Sequence, residues 1–448
     1  MTQICNPTKK CNYLDFAELA YFFFLFGTVF TILGPVIHYI CYGLSLVSMV
    51  ISQFLEKSHI FKKPTGVART IFILFFVFFV LEAFPNAINA PSFYVWGKGS
   101  SVFLETILYT YMAFCLFDTD EKRKKLLITF AVANAILALV ICFRPLFQLW
   151  FHNATLLKIL NFNASLDNGN CFGSYATLLL PIFLICANFF CGNALLGAIL
   201  TCIAICATIC SLSVGYWGAN FVCFVSFIIL TISKKLLNTK FFFTLLIITI
   251  LSGCALFVAS PPEFKLKLKE EISQAAALFT ERTGNTALDL DKFTTHRYGI
   301  WMLSIDMIRD KPLVGWGYDN FLGKSKDFYD NHKDKLTFEN YGWYEIGESF
   351  YHPHNTFLSV AVAGGLPSLF VFLVFSLTVT YVAFKTYFTG KSRLSVIFAL
   401  LMVISIATQA GAGLTSDLFA ARRDMGVIFW AFLGVFLALL QDNATDSK

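Results

Sequence analysis

Two polar segments of this 448-residue chain contain residue types that can transfer protons or bind anions. In the second of them, His352, His354 and Asn355 stand directly before a long apolar run. An imidazole exchanges a proton near neutral pH, and polar side chains at a membrane boundary are costly unless they are paired or functional. We expect these three residues either to act in catalysis or substrate binding, or to anchor the following helix. No metal is predicted, because the spacing supplies no third ligand.

The first polar segment, residues 294–312, has the pattern of an amphipathic helix. Thr294 or Thr295 can cap it, apolar residues such as Trp301 recur at helical spacing, and Pro312 ends it. Arg297 lies one turn before Trp301 on the same face. From composition alone, a helix that lies on the membrane with Arg297 towards lipid phosphate is the favoured interpretation.

The composition of the rest of the chain indicates a membrane protein. Apolar residues make up 57% of the sequence and charged residues only 14%. Soluble domains carry about 25% charged residues. The sequence therefore predicts an all-α polytopic membrane protein rather than a water-soluble enzyme.

A helix that crosses a bilayer needs roughly 20 apolar residues, and this window predicts about twelve spans and one large, mainly helical periplasmic loop. The predicted spans are residues 14–33, 35–54, 67–84, 100–118, 126–143, 171–190, 193–211, 214–232, 240–260, 355–384, 394–414 and 421–440. The expected organisation is transmembrane helices 1–9 in residues 1–260, the loop domain in 261–354, and helices 10–12 with a short cytoplasmic tail in 355–448. The tenth span exceeds one bilayer thickness and is expected to tilt or to extend into water.

The distribution of basic residues predicts the orientation in the membrane. The net charge is +6, and clusters such as Lys122–Lys125 and Lys234–Lys235 recur at alternate connections. By the positive-inside rule both termini are cytoplasmic and the polar loop is external. Such a pattern orients a protein among membrane lipids and does not suggest a nucleic-acid partner.

Three motifs resemble the superfamily of O-antigen ligases and O-antigen polymerases, which are bacterial inner-membrane glycosyltransferases. The motifs are Arg297 with the Pro-Leu-Val-Gly-Trp-Gly-Tyr-Asp-Asn-Phe string at 312–321, His-Pro-His-Asn-Thr-Phe-Leu at 352–358, and Ala-Gly-Gly-Leu-Pro at 363–367. Their order, within and after one large external loop, is similar to the family over roughly residues 170–440.

The resemblance implies transfer of a glycan from a polyprenyl-diphosphate carrier to an acceptor hydroxyl at the periplasmic face, without a metal or other cofactor. It implies that Arg297 holds the diphosphate and that His354 activates or positions the acceptor. A guanidinium offers a fork of donors to phosphate oxygens, and an imidazole can take the acceptor proton. The expected substrate-binding residues are Arg282, Trp301, His352 and Asn355.

The acceptor is expected to be lipid A-core, which would make the protein an O-antigen ligase. The alternative is the polymerase of the same superfamily, which uses a second lipid-linked repeat. A single dominant external loop favours the ligase. A third alternative is a non-catalytic transporter of the lipid-linked glycan, although neither an internal repeat nor charges central to most spans are evident. A protein-directed oligosaccharyltransferase is a further alternative, but such relatives usually carry an additional C-terminal domain.

One residue departs from the family pattern. Val214 stands where the family commonly has a second arginine in a mid-chain span. Valine cannot contact a diphosphate, so another arginine is expected to substitute for it. Arg282 is the favoured candidate, and the others are Arg144 and the pair Arg422 and Arg423.

Overall fold

The computed structural model describes most of the chain and contains no β-strand among the residues that it describes. These residues are 15–31, 35–89, 92–142, 169–211, 213–260, 262, 265–270, 272–273, 290, 294, 297–317, 321–338, 341, 352–414 and 423–445. For this part of the chain, the predicted all-α class is confirmed.

Helices α1 to α14 succeed one another along the chain, and each of the twelve predicted spans overlaps one of them. They are α1 (Phe16–Val29), α2 (Pro35–Leu55), α3 (Gly66–Asn89), α4 (Phe93–Leu116), α5 (Asp120–Cys142), α6 (Gly169–Phe189), α7 (Ala194–Cys210), α8 (Val214–Ser233), α9 (Thr239–Ala259), α10 (Arg297–Asp310), α11 (Phe321–Asn331), α12 (Thr356–Thr389), α13 (Arg393–Gly413) and α14 (Arg423–Thr445). Among the described residues, seven helices are long and apolar enough to cross a membrane, namely α2, α3, α8, α9, α12, α13 and α14. The total of twelve spans stays a prediction.

Polar side chains fix where several helices begin. The Asp15 carboxylate accepts the first backbone N–H groups of α1, and Asn193 and Asn238 do the same for α7 and α9. These groups have no partner within the helix, so a side-chain oxygen that accepts from them stabilises the start. Polar loop residues thereby set the ends of apolar segments.

Hydrogen bonds between connections show that alternate helix ends lie together. Residues 56–65, 117–125, 190–193, 234–240, 385–393 and 441–445 form one end, which we call the basic end. There the Thr65 N–H donates to the Gln441 side chain over 2.8 Å, and the Lys234 ammonium donates to the Phe388 carbonyl over 3.0 Å. Residues 213–217, 311–317, 352–356 and 411–414 lie at the other end, which we call the histidine end. Both candidate motifs therefore lie away from the basic clusters.

Helix α12 is broken at Gly365, where φ is 76° and ψ is −178°. Phe357 and Phe372 are fifteen residues apart, which in a straight helix is roughly 22 Å. Their ring centroids are only 6.2 Å apart. The helix therefore bends into a short arm (356–364) and a long arm (366–389). The excess length predicted from the sequence is accommodated by this break.

Candidate functional site

Helix α10 carries Arg297 as its first residue. The Thr294 hydroxyl accepts the Tyr298 N–H at 2.9 Å, but the helix begins at Arg297, so Thr294 lies three residues before its first residue and its predicted capping role stays a prediction. On the opposite side of this first turn, a Cβ on Gly299 would lie 2.8 Å from the backbone carbonyl of Tyr341, so the chain at Tyr341 packs directly on the helix. The half-buried Arg297 therefore stands at the positive end of a helix dipole, where anions are favoured.

A buried carboxylate holds α10 against the segment that follows α11. Asp306 is 1% exposed and accepts hydrogen bonds from the Thr337 hydroxyl at 2.6 Å, the Tyr341 hydroxyl at 2.9 Å and the Arg309 guanidinium at 3.1 Å. Burial, together with the charge of Asp306, raises the pKa of Tyr341 to about 12. The phenol therefore stays a donor at physiological pH and locks the helix that presents Arg297.

The Gly-Trp-Gly loop after α10 docks onto the break in α12. A broken helix leaves backbone donors and acceptors without helical partners, and buried groups of this kind must be satisfied elsewhere. Three backbone hydrogen bonds do so, from Trp316 to Val362 (2.7 Å), from Gly317 to Ala363 (2.9 Å) and from Leu366 to Pro312 (2.7 Å). Two motifs that are far apart in the sequence thus form one structural unit.

Glycine is required on both sides of this contact. Gly315 has a φ of 69° and Gly365 a φ of 76°, in the left-handed region that other residues resist. A Cβ on Gly315 would lie 2.5 Å from the Ala363 carbonyl oxygen, and one on Gly365 would lie 2.7 Å from the Leu313 backbone. Any side chain at either position would push the loop away from the broken helix.

Glu82 of α3 lies behind the break and was not singled out from the sequence. It is 1% exposed and accepts a hydrogen bond from Ser368 on the long arm of α12. A Cβ on Gly364 would lie 2.7 Å from its carboxylate, so the backbone at the break approaches it closely. The available signal was an acidic residue inside an apolar span, which is costly and often functional.

His354 has a strained backbone conformation directly before α12. Its φ is 54°, and its backbone N–H donates to Nδ1 of His352 at 3.2 Å. The two imidazole centroids are 4.2 Å apart. Because Nδ1 of His352 accepts, the proton of the neutral ring sits on Nε2. Positive φ at a residue other than glycine costs about 1–3 kcal/mol and persists where its surroundings enforce it, often at functional sites.

Asn355 caps α12 and ties it to the end of α13. Its side-chain oxygen accepts the N–H groups of Phe357 and Leu358, both at 3.0 Å, and its amide nitrogen donates to the Leu414 carbonyl at 3.2 Å. Both ends of this amide therefore bond to backbone. These contacts fix the start of α12 next to His354, and the substrate role of Asn355 stays a prediction.

Val214, at the position of the expected second arginine, begins α8 at the histidine end. Two residues on, Tyr216 packs with Ala412 of α13, and its hydroxyl is 2.6 Å from that of Ser174. Val214 thus lies near the end of α13, which Asn355 also contacts. Arg282, Arg144 and Arg422 lie outside the described residues, as does the side chain of Arg423.

Trp301 and Lys311 also place nitrogen atoms near the candidate site. The half-buried Trp301 has an indole Nε1 with no hydrogen-bond partner among the described residues. Lys311, which the sequence analysis did not select, donates to Asn89 at 3.1 Å and lies 3.9 Å above the Trp316 ring. Partial burial lowers the pKa of Lys311, and nearby Lys324 adds to the effect. Lys311 thereby joins α10 to the end of α3.

The structure brings the two candidate motifs together through an apolar cluster. Leu303 and Met307 of α10 lie in one cluster with Val362 of the short arm. Arg297 thus begins α10, and His354 immediately precedes the α12 arm that shares this cluster. That the two side chains flank a single substrate stays a prediction.

Comparison with known proteins gives one family. Residues 198–373 match the family model described as O-antigen ligase. This segment runs from α7 to the long arm of α12 and includes Arg297, His352 and His354. No curated protein matches the chain significantly.

Proposed function

We propose that the chain is an O-antigen ligase, a member of the superfamily of membrane glycosyltransferase-like enzymes whose family model residues 198–373 match. It transfers a polysaccharide from a polyprenyl-diphosphate carrier to lipid A-core at the periplasmic face of the inner membrane. The basic end faces the cytoplasm, in agreement with the positive-inside rule. The proposal rests on the strained His354, held at the start of α12 against the helix that begins at Arg297.

In the proposed reaction Arg297 binds the donor diphosphate. Negative charge develops on the diphosphate as the bond to the sugar breaks, and a guanidinium presents parallel donors to its oxygens. The position of Arg297 as the first residue of α10 adds the positive end of the helix dipole. Binding therefore becomes stronger as the leaving group separates, which is what lowers the barrier.

His354 acts as the general base for the acceptor. The acceptor hydroxyl oxygen attacks the anomeric carbon, its proton passes to the imidazole, and the bond between that carbon and the diphosphate oxygen breaks. A single displacement of this kind inverts the anomeric carbon. His352 accepts the His354 backbone N–H, and Asn355 caps the adjacent helix, so both fix the base in place.

A transporter of the lipid-linked glycan is the second candidate, because two observations favour it. Interrupted helices with buried charges are typical of transporters, and α12 is broken next to the buried Glu82. Purified protein in detergent has no compartments to transport between. Formation of glycan-linked acceptor by that preparation supports the transferase, whereas a transporter would form none.

The lipopolysaccharide of a deletion strain separates the ligase from the polymerase. Loss of all long chains attached to core, with lipid-linked polymer accumulating, is expected for the ligase. Core that bears a single repeat would instead indicate the polymerase. This pattern depends on which acceptor is used and needs no purified substrate.

Replacement of Arg297 by Ala tests the donor assignment. We expect transfer to be abolished, because the leaving diphosphate loses its cation, while the protein still inserts and folds. The measure is surface polysaccharide restored to the deletion strain, with the amount of protein in the membrane as reference. Arg309→Ala is the matched control on the same helix, since Arg309 is exposed and Asp306 keeps its other partners. Normal polysaccharide from Arg297→Ala would refute the assignment.

A further inference from the structure

A cavity that is partly open to its surroundings lies in the angle between the two arms of α12. Phe357 lines it from the short arm and Phe375 from the long arm, while Ile406 of α13 and Trp430 of α14 close the other sides. The cavity exists because the helix bends at Gly365, since a straight helix would separate the two arms.

The lining of this cavity selects a hydrocarbon. Aromatic and aliphatic side chains make up most of it, so its contacts with an apolar chain are van der Waals contacts. Sugars and phosphates would lose their hydration there without replacement. The occupant is therefore the lipid part of a substrate rather than its glycan.

The cavity reaches the candidate site at one end. Thr356 and Gly413 line it there, and a Cβ on Gly413 would lie 3.1 Å from the Thr356 hydroxyl. Asn355 directly precedes Thr356 and Leu414 directly follows Gly413. Asn355 and Leu414 are joined by a hydrogen bond of 3.2 Å. A chain in the cavity would thus end within two residues of His354.

A single amide inside the cavity indicates what kind of hydrocarbon it takes. Gln409 is 7% exposed and lines the cavity, and its Nε2 has no hydrogen-bond partner among the described residues. An unpaired buried amide is costly, and rotation of its terminal group by half a turn exchanges donor and acceptor. A polyprenyl tail is hydrocarbon throughout and would leave the amide unpaired. A fatty-acyl chain carries a carbonyl, and often a hydroxyl, that can pair with it.

We infer that this cavity binds a fatty-acyl chain of the acceptor and thereby holds the acceptor sugar over His354. The inference rests on the proposed function, because it assumes a lipid-anchored acceptor. The same acyl chemistry occurs in membrane phospholipids, so the source of the chain has to be separated by experiment.

Fluorescence of Trp430 tests which lipid occupies the cavity, and the measurement needs no transfer reaction. Trp430 lines the cavity. Its emission is obtained by subtracting the emission of the Trp430→Phe variant from that of the intact protein. In vesicles of phospholipid with dibrominated acyl chains, quenching of this emission reports an acyl chain in the cavity. We expect added lipid A-core to relieve the quenching, and its deacylated oligosaccharide and polyprenyl diphosphate to leave it unchanged. Relief by polyprenyl diphosphate would assign the cavity to the donor, and no relief by lipid A-core would assign it to bulk lipid. Either result overturns the inference.

Kinetics of two cavity variants test the same point on the transferase. Ala410→Phe fills the cavity, and we expect it to raise KM for lipid A-core at least about tenfold with KM for the donor unchanged. Ala255→Phe on the exposed face of α9 is the matched control, with both KM values unchanged. Gln409→Leu should raise KM for lipid A-core about two- to tenfold, since it removes one hydrogen bond to the acyl chain.

The sign of the Gln409→Leu effect is decisive. A purely hydrocarbon occupant would bind the leucine variant as well or better, so an unchanged or lowered KM for lipid A-core refutes the acyl assignment. Absence of transfer by the intact protein would refute the proposed function instead, and the Trp430 measurement would still report what the cavity binds.

Discussion

The two ends of the helical bundle satisfy their polar groups in different ways. At the basic end, Arg123 is 3% exposed and donates to the Phe117 carbonyl at 2.8 Å, to Asp120 at 3.0 Å and to Asp442. Asn188 likewise donates to one connection residue and accepts from another, both within the loop at 236–238. These two groups are fully paired, although the Tyr21 hydroxyl and the Gln53 side-chain oxygen near the same end have no hydrogen-bond partner among the described residues.

The histidine end has an interrupted helix and a buried carboxylate in addition to unpaired polar atoms. There α12 is broken, Glu82 is buried beside the break, and Trp301 and Gln409 keep polar atoms without partners among the described residues. Local rules are broken mainly where function requires it. The broken helix and the buried Glu82, rather than the unpaired polar atoms, therefore mark this end as the candidate site without reference to any family.

Positive φ angles sharpen the same contrast. At the basic end Lys57 and Lys235 have φ values of 51° and 57°, but each follows the end of a helix, where a left-handed residue commonly terminates it. Lys235 shows the reason, because the Leu236 N–H beyond it bonds back to the Thr231 carbonyl at 2.8 Å. His354 precedes a helix, so no such termination explains its φ of 54°. Only this strain calls for a functional reason.

The largest expected effect is a loss of transfer when a histidine is replaced at the histidine end but not at the basic end. His354→Ala should lower transfer by about two to four orders of magnitude, because it removes the general base. His59→Ala at the basic end is the control, since His59 is exposed in a connection and should be neutral. Initial rates of purified protein with saturating donor measure both. Full activity of His354→Ala would leave His354 as an anchor for α12.

The next effect compares two glycines with positive φ. Gly365→Ala should lower transfer about ten- to hundredfold, because its Cβ would meet the Leu313 backbone at 2.7 Å in addition to strain of about 1–3 kcal/mol. Gly66 at the basic end has a φ of 52° but open space around its Cβ position. Gly66→Ala should therefore share the strain and keep its activity.

Transfer per folded molecule, together with the melting temperature, separates the two glycine variants. A similar fall in melting temperature with a different fall in activity is the expected pattern. Equal activity in both variants would show that contact between the loop and the break does not position the site.

The sequence predicted the helices well because their signal is local. Apolar runs such as that of α9 and side-chain caps such as Asn193 act within a few residues, so each predicted span overlaps a helix. The break at Gly365 was not predicted, because it depends on backbone bonds to a loop some fifty residues earlier in the chain. Gln409 was missed for the same reason, since it becomes notable only through what it faces after folding. Glu82 was missed although an acidic residue inside an apolar span is a local signal.

The smallest expected effect on activity comes from the basic end. Arg123→Ala removes three hydrogen bonds but leaves Asp120 and Asp442 about half exposed, so both carboxylates can be rehydrated. We expect the free energy of unfolding to fall by about 1.5–3 kcal/mol, seen as a lower melting temperature. Transfer per folded molecule should stay unchanged, as it should for the exposed neighbour in Lys124→Ala. A loss of transfer in folded Arg123→Ala would mean that the basic end also contributes to the reaction, and the contrast between the two ends would fail.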